Sequence, residues 1–355
     1  MSVKQKTVFG INESIAKEIL EVALSTGGDF AEVYMEETSN ESFQLVSGRL
    51  EKADVSKVKG AAVRIIKGDL EVNCSTTVCT KEALLEKARV LAGSFEGTKT
   101  TEVQEFNEVE VELHVNPKNI RKDNIQDEVK LMQEATKGAK EYSAEIVQVL
   151  STLTKKDQHM FVFASDGTWA TDHRCNTRIG VSAVASDGKS MQSVGDTFGR
   201  NQGMEMFEGF NPYEFGKTVA ANSVEMLHAE EMTGGEMPVV LHNAFGGVIL
   251  HEACVHGLEA TSVANGMSVF CGKVGQKIAS DIVNAVDEGI SDNMWGSINV
   301  DDEGTPSRRR VLIENGILKG YLVDKRNSRK MNHPITGSSR RESYKFQTTS
   351  RMTNT

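Results

Sequence analysis

The chain has 355 residues, 39% hydrophobic and 25% charged, the composition of an ordinary globular protein with room for a sizeable core. A formal net charge of −10 and a pI near 5.4 argue against a nucleic-acid or anionic-membrane surface, since both need positive fields. The amino terminus lacks the apolar run of a secretory signal, and no window approaches the roughly 18 apolar residues of a membrane helix. Cys74, Cys79, Cys175, Cys254 and Cys271 form an odd set without a regular framework, which points to a reducing cytoplasm.

Residues 13–28 read as a helix, with Ile15, Ile19, Leu20 and Ala23 at helical spacing and Gly27-Gly28 as its stop. Residues 29–37 alternate like a strand, and β-rich runs follow over 43–55 and 60–78, broken at Gly48, Gly60 and Gly68. Thr80 caps a second helix over 81–93, whose Ala83, Leu84, Ala88 and Leu91 form one stripe. A third helix is expected after Asn116-Pro117, running to about Tyr142. Two strands, 144–154 and 159–167, are expected around a turn at 155–157, and a hairpin over 177–199 turns at Asp187-Gly188.

A helix over 215–226 leads to a Gly/Pro-containing stretch at 233–238, the expected boundary between domains 1–233 and 234–355. Beyond it a short strand is expected at 239–242, then a mainly β region. Its clearest element is the hairpin of residues 308–325, turning at Asn315-Gly316. The short basic runs at 307–310 and 338–343 read as solvated charges.

Residues 246–260, GGVILHEACVHGLEA, carry the chemistry. His251 and Glu252 are adjacent, and His256 follows five positions after the first histidine, an HExxxH pattern. Four residues return a side chain to one helix face, whereas five, at about 100° each, leave the rings roughly 140° apart. A π-type turn of about 4.4 residues, or a helix end at Gly257, would bring them together. Neutral imidazoles ligate zinc, and a carboxylate beside the first ligand can reach a metal-bound water. Zinc lowers the pKa of that water, and the glutamate takes its proton as hydroxide attacks a peptide carbonyl. Single histidines are more often packed or hydrogen-bonded than metal-bound, so the spacing is weak evidence by itself.

Other candidates read as structural. Cys254 is expected to pack under the helix, and Cys271, near Gly272 and Gly275, to be a small buried thiol. Cys74 and Cys79 lack histidine partners, and His242 reads as a polar residue at a strand end. Asp301-Asp302-Glu303 raise a hard-metal site, but three adjacent acids alternate sides and read as a solvated loop. Arg340-Arg341 suit a structural ion pair better than a grip on a peptide carboxylate.

HEACVHGLEA (251–260), GKVGQKIAS (272–280), residues 301–325, GSSRRESY (337–344) and SRMTNT (350–355) resemble the TldD branch of the TldD/PmbA family. STGGDFAEVYMEE (25–37) extends the resemblance to the front of the chain. It implies an α+β fold, an N-terminal α/β domain followed by a β-rich domain carrying the metal helix. It implies Zn2+ held by His251 and His256, with Glu252 as general base. Implied substrates are unfolded or short peptides, held as an added strand against a sheet edge. Implied partners are a second copy or a PmbA-type subunit. The family's older name, modulator of DNA gyrase, suggests a nucleic-acid role that the acidic composition opposes.

Two departures stand out. Val255 occupies a position where the family has glycine, and the chain ends at Thr355 where relatives continue for roughly another hundred residues on domain-size grounds. The family's third ligand, a cysteine, lies in that further part, so the metal is expected to be absent or weakly held here. The readings are therefore a zinc metallopeptidase and, as the alternative, a non-catalytic peptide-binding or partner-binding subunit.

Overall fold

Asn12 accepts a hydrogen bond from the Ile15 amide at 3.0 Å and so caps α1, Glu13–Ala23, which buries Ala16, Ile19, Leu20 and Ala23. The fold is that of a computed structural model, described over residues 9–114 and 124–355, the side chains of 244 and 245 excepted. Three antiparallel strands follow: β1 (Phe30–Val46), β2 (Arg49–Lys67) and β3 (Leu70–Thr76), with Ser47-Gly48 and Gly68 at the turns. Gly60 does not break β2. The Tyr344 ring lies where a Cβ would stand, so this glycine serves a close approach inside a continuous strand.

Thr80 caps α2, Lys81–Ala92, and Asn124 caps α3, Ile125–Tyr142. The expected start of the third helix near Pro117 lies outside the described residues. The two-residue strand β4, Asn107–Glu108, precedes α3. β5 (Ile146–Ala164) then runs straight through 155–157, where a turn was expected. The polar run is not solvated: the Lys155 ammonium is buried against Glu128 of α3 at 2.5 Å and Glu41 of β1 at 2.7 Å. β6 (Thr168–Ser186) and β7 (Met191–Arg200) form the expected hairpin, and α4 (Pro212–Leu227) follows.

These strands make one seven-stranded sheet, ordered β3-β2-β1-β5-β6-β4 with β7 also on β6. One face carries two helix pairs over separate cores. Ile19, Leu20, Leu84 and Ala88 of α1 and α2 pack on Val33, Val63 and Phe163. Met132, Ala135, Val219 and Ala220 of α3 and α4 pack on Leu153 and Ile179. Side chains alternate along strands, so Tyr34, Met160, Val162 and Ala170 point to the opposite face and meet Val300 and Tyr344.

Residues 234–355 supply that second layer. They contain α5 (Val248–Ala253), α6 (Ala260–Val263), β8 (Ala285–Glu288), β9 (Arg309–Glu314), β10 (Ile317–Leu318), α7 (Lys325–Met331), β11 (Ser339–Arg340) and β12 (Thr349–Ser350). The class is α+β. The β9/β10 hairpin turns at Asn315-Gly316, both with positive φ, as a tight turn of this hand requires. The strand expected at 239–242 does not form: Val240 is 97% exposed and the segment has no ladder partner among the described residues. No helix among the described residues is long and apolar enough to cross a membrane.

Asp301, Asp302 and Glu303 correct the expectation of a solvated loop, because all three are buried between the layers. Arg64 reaches Glu303 at 2.7 Å and Glu32 at 2.8 Å, Arg174 reaches Asp302 at 2.7 Å and Asp172 at 2.8 Å, and Arg341 reaches Glu32 at 2.7 Å. Arg310, expected to be solvated, is buried against Asp287. Arg64→Leu should lower stability by about 3–5 kcal/mol, because it strands buried carboxylates. Lys52→Ala, which breaks an exposed pair with Asp54, should cost at most about 1 kcal/mol. Urea denaturation of the two variants checks this, and equal effects would contradict it.

Candidate metal centre

The break between the histidines falls at Cys254. α5 closes with the Cys254 amide donating to the Leu250 carbonyl at 3.0 Å. Cys254 then takes φ −130° and ψ −57°, outside the helical region, and residues 255–258 form a 3-10 turn. The chain therefore uses neither a π-type turn nor a stop at Gly257. Val255 follows the break and is fully buried with Leu258, Leu312 and Leu322, a hydrophobic anchor that fixes where the second turn lies. Its φ is not positive, so the backbone makes no demand for glycine there.

This kink turns the two rings toward each other. His251 Nε2 and His256 Nε2 lie 3.0 Å apart, with ring planes at 85°. A carboxylate oxygen of Glu252 stands 3.8 Å from His256 Nε2, and its side chain is 66% exposed. These three residues bring their donor atoms within 4.8 Å of one another. The two imidazoles supply two of the three protein ligands that a catalytic zinc site uses, with the Glu252 carboxylate beside them.

Glu259 and Arg351 escaped the sequence reading. Glu259 Oε1 lies 3.1 Å from His256 Nδ1, and Arg351 Nη1 lies 3.5 Å from Glu259 Oε2. A carboxylate on Nδ1 favours the tautomer with its proton there, which leaves the Nε2 lone pair aimed at His251. The available signal was the three-residue interval from His256 to Glu259, which places both on one side of a single turn. Burial pushes the Glu259 carboxyl up, opposed by Arg351 and His256. Burial first, and then the charge of His256, hold the His251 imidazole below its ordinary value.

The remaining candidates stay apart from this group. Cys271 is half-buried, its thiol donating to the Val263 carbonyl at 3.4 Å, and Cys254 packs against the Val255 core. His242 is exposed, hydrogen-bonded to the Asn243 carbonyl, and lies on no strand. Cys74 and Cys79 pack beside the first helix pair. The Asp301 group is committed to internal ion pairs and backbone amides.

Profiles of the PmbA/TldA metallopeptidase match the chain in three parts: domain 1 over residues 31–93, the central domain over 118–227 and the C-terminal domain over 234–355. A Haemophilus influenzae protein, a metalloprotease TldD homolog, is 31% identical over 340 residues, covering 92% of this chain and 70% of its own length. The chain belongs to the PmbA/TldD metallopeptidase family.

Another PmbA/TldD relative, from Saccharolobus solfataricus, is named a zinc metalloprotease TldD homolog and is 29% identical over 181 residues, covering 51% of this chain and 40% of that one. A solved Thermotoga maritima structure, named for modulation of a DNA gyrase, shares the fold with a TM-score of 0.77 at 20% identity, over 94% of this chain and 76% of that one.

In the metal-free PmbA/TldD chain, an NMR titration of His251 should give a midpoint below the ordinary 6.5. His256→Asn should raise that midpoint, because protons on both imidazoles repel at 3.0 Å and the substitution removes that coupling. A His251 midpoint at or above 6.5 would contradict the packing described for this ring.

Proposed function

We propose that this chain is a zinc-dependent peptidase of the TldD type, acting on unfolded or short peptides, with His251 and His256 as metal ligands and Glu252 as general base. The observation that carries the reading is the convergence of the two Nε2 atoms at 3.0 Å, with Glu252 alongside and Glu259 fixing the tautomer of His256. A zinc ion held by His251 and His256 would supply Lewis acidity, lowering the pKa of water so that hydroxide is available near neutral pH and polarising a peptide carbonyl. Glu252 is exposed enough to receive a proton from water entering the site and then to pass it to the leaving amine. Glu259, held by Arg351, keeps the His256 ring from rotating.

The surroundings of α5 support a peptide ligand and a partner subunit. Met232, Met237, Val239, Val240, Leu241 and Ile249 are exposed around and just before the histidine helix. Apolar side chains exposed in this number over one segment suit a surface that another chain covers. A peptide added as a strand would satisfy its main-chain groups with little regard to sequence. A second copy or a PmbA-type subunit would close the site around it. The free cysteines support a reducing, cytoplasmic setting.

In zinc-loaded protein, Glu252→Gln should keep the metal, measured by elemental analysis, and lose about 10²- to 10⁴-fold in peptide cleavage. Cleavage at the parent rate would remove Glu252 as the base. If neither form cleaves while both still bind unfolded peptide, the chain is a binding subunit. The parent should also degrade an unfolded protein while sparing the same protein folded. Equal rates for the two forms would count against strand-type binding.

A further inference from the structure

Strands β5 and β6 build a second group of metal-capable side chains, sharing no residue with the histidine motif. Their register sets His159 directly across from His173, and the two rings stack at 4.1 Å with planes 7° apart. Asp157 lies two residues before His159 and so on the same face of the sheet. Its Oδ1 is 2.6 Å from His173 Nε2 and 3.6 Å from His159 Nε2. All three donor atoms fall within 4.8 Å of one another.

The position is also suited to an ion. This is the helix-bearing face of the sheet, at the interval between its two cores. On one side Phe161 and Phe163 pack toward α1 and α2, and on the other Leu153 packs under α3 and α4. Asp157 is buried while both rings are half-buried, so solvent reaches the nitrogens but the carboxylate is held. Two long paired strands fix the three backbone positions, and binding one ion requires a ring to turn out of the parallel stack so that both in-plane lone pairs meet. In the register of β1, Glu37 stands opposite His159 and adds negative charge on that face, in contact with Lys57 at 2.6 Å.

The geometry points to a second metal site, in which Asp157, His159 and His173 together bind one divalent transition-metal ion and clasp β5 to β6. Two imidazoles and one carboxylate favour zinc or a similar ion over calcium and magnesium, which take all-oxygen shells. The ion bridges the two strands at the place where neither helix pair covers them. Its contribution is to fix the sheet, with no part in the peptidase chemistry proposed above.

The test is calorimetric titration of the chain with Zn2+, in a background carrying His251→Ala and His256→Ala to silence the motif. One saturable equivalent should remain. Adding either His159→Asn or His173→Asn should weaken it by about tenfold or more, since each removes one of three ligands. Circular dichroism confirms that each variant is folded. As a check independent of that background, His159→Asn in the otherwise unaltered chain should weaken one zinc-binding event by the same factor of about tenfold or more. Absence of saturable binding in the motif-silenced chain would overturn the proposal, leaving an Asp157–histidine ion pair only. Undiminished binding in both asparagine variants would overturn it equally.

Discussion

The charged layer between the sheet and residues 234–355 is the constraint on which the rest of the molecule depends. Arg64 and Arg174 rise from the sheet, and Glu303 and Asp302 descend to meet them at 2.7 Å each. Charges removed from water are tolerable only when paired with good geometry, so this layer admits one arrangement of the two parts and penalises others strongly. Its net contribution to stability is smaller than its contribution to register. Apolar contacts at Tyr34, Met160, Val162, Val300 and Tyr344 supply the attraction. The ion pairs decide the fit.

From that layer a chain of hydrogen bonds leads to the histidines. Asp301 accepts the Ser339 amide at 3.0 Å and Asp302 the Arg341 amide at 2.6 Å, which fixes β11. β11 pairs with β12, and the Ser350 amide donates to the Thr261 hydroxyl at 3.1 Å. The next residue, Arg351, holds Glu259, which holds His256. On the other side, the Ala260 amide bonds to the Leu322 carbonyl at 2.8 Å. The acids at 301–303, far from the motif in sequence, thus help set the azimuth of its second ring.

Much of this was legible in the sequence where a local cause decides the structure. Thr80 and Asn315-Gly316 act through their immediate neighbours, and the elements they start or turn were read correctly, whereas the first helix ends at Ala23, short of the Gly27-Gly28 stop expected for it. Lys155 to Asp157 and Asp301 to Glu303 misled for one reason: polar runs are solvated unless distant residues neutralise them. Here Glu128, Glu41, Arg64 and Arg174 do so from other elements. Gly60 misled because a glycine admitting a distant ring looks the same as one ending a strand. Val239 and Val240 have strand-forming side chains but pair with no strand among the described residues. The motif itself was legible as residue types and spacing. The kink at Cys254 was not, because it follows from Val255 being drawn into a core assembled from Leu312 and Leu322.

The kink brings two histidines five residues apart to within 3.0 Å, and on the proposed reading they hold one metal ion. An anomalous-scattering map from zinc-loaded crystals, recorded at the zinc edge, addresses it most directly. A peak shared by His251 Nε2 and His256 Nε2 is expected, with Glu259 still on His256 Nδ1. Zinc-loaded crystals in which the two rings point apart, with no peak between them, would contradict it.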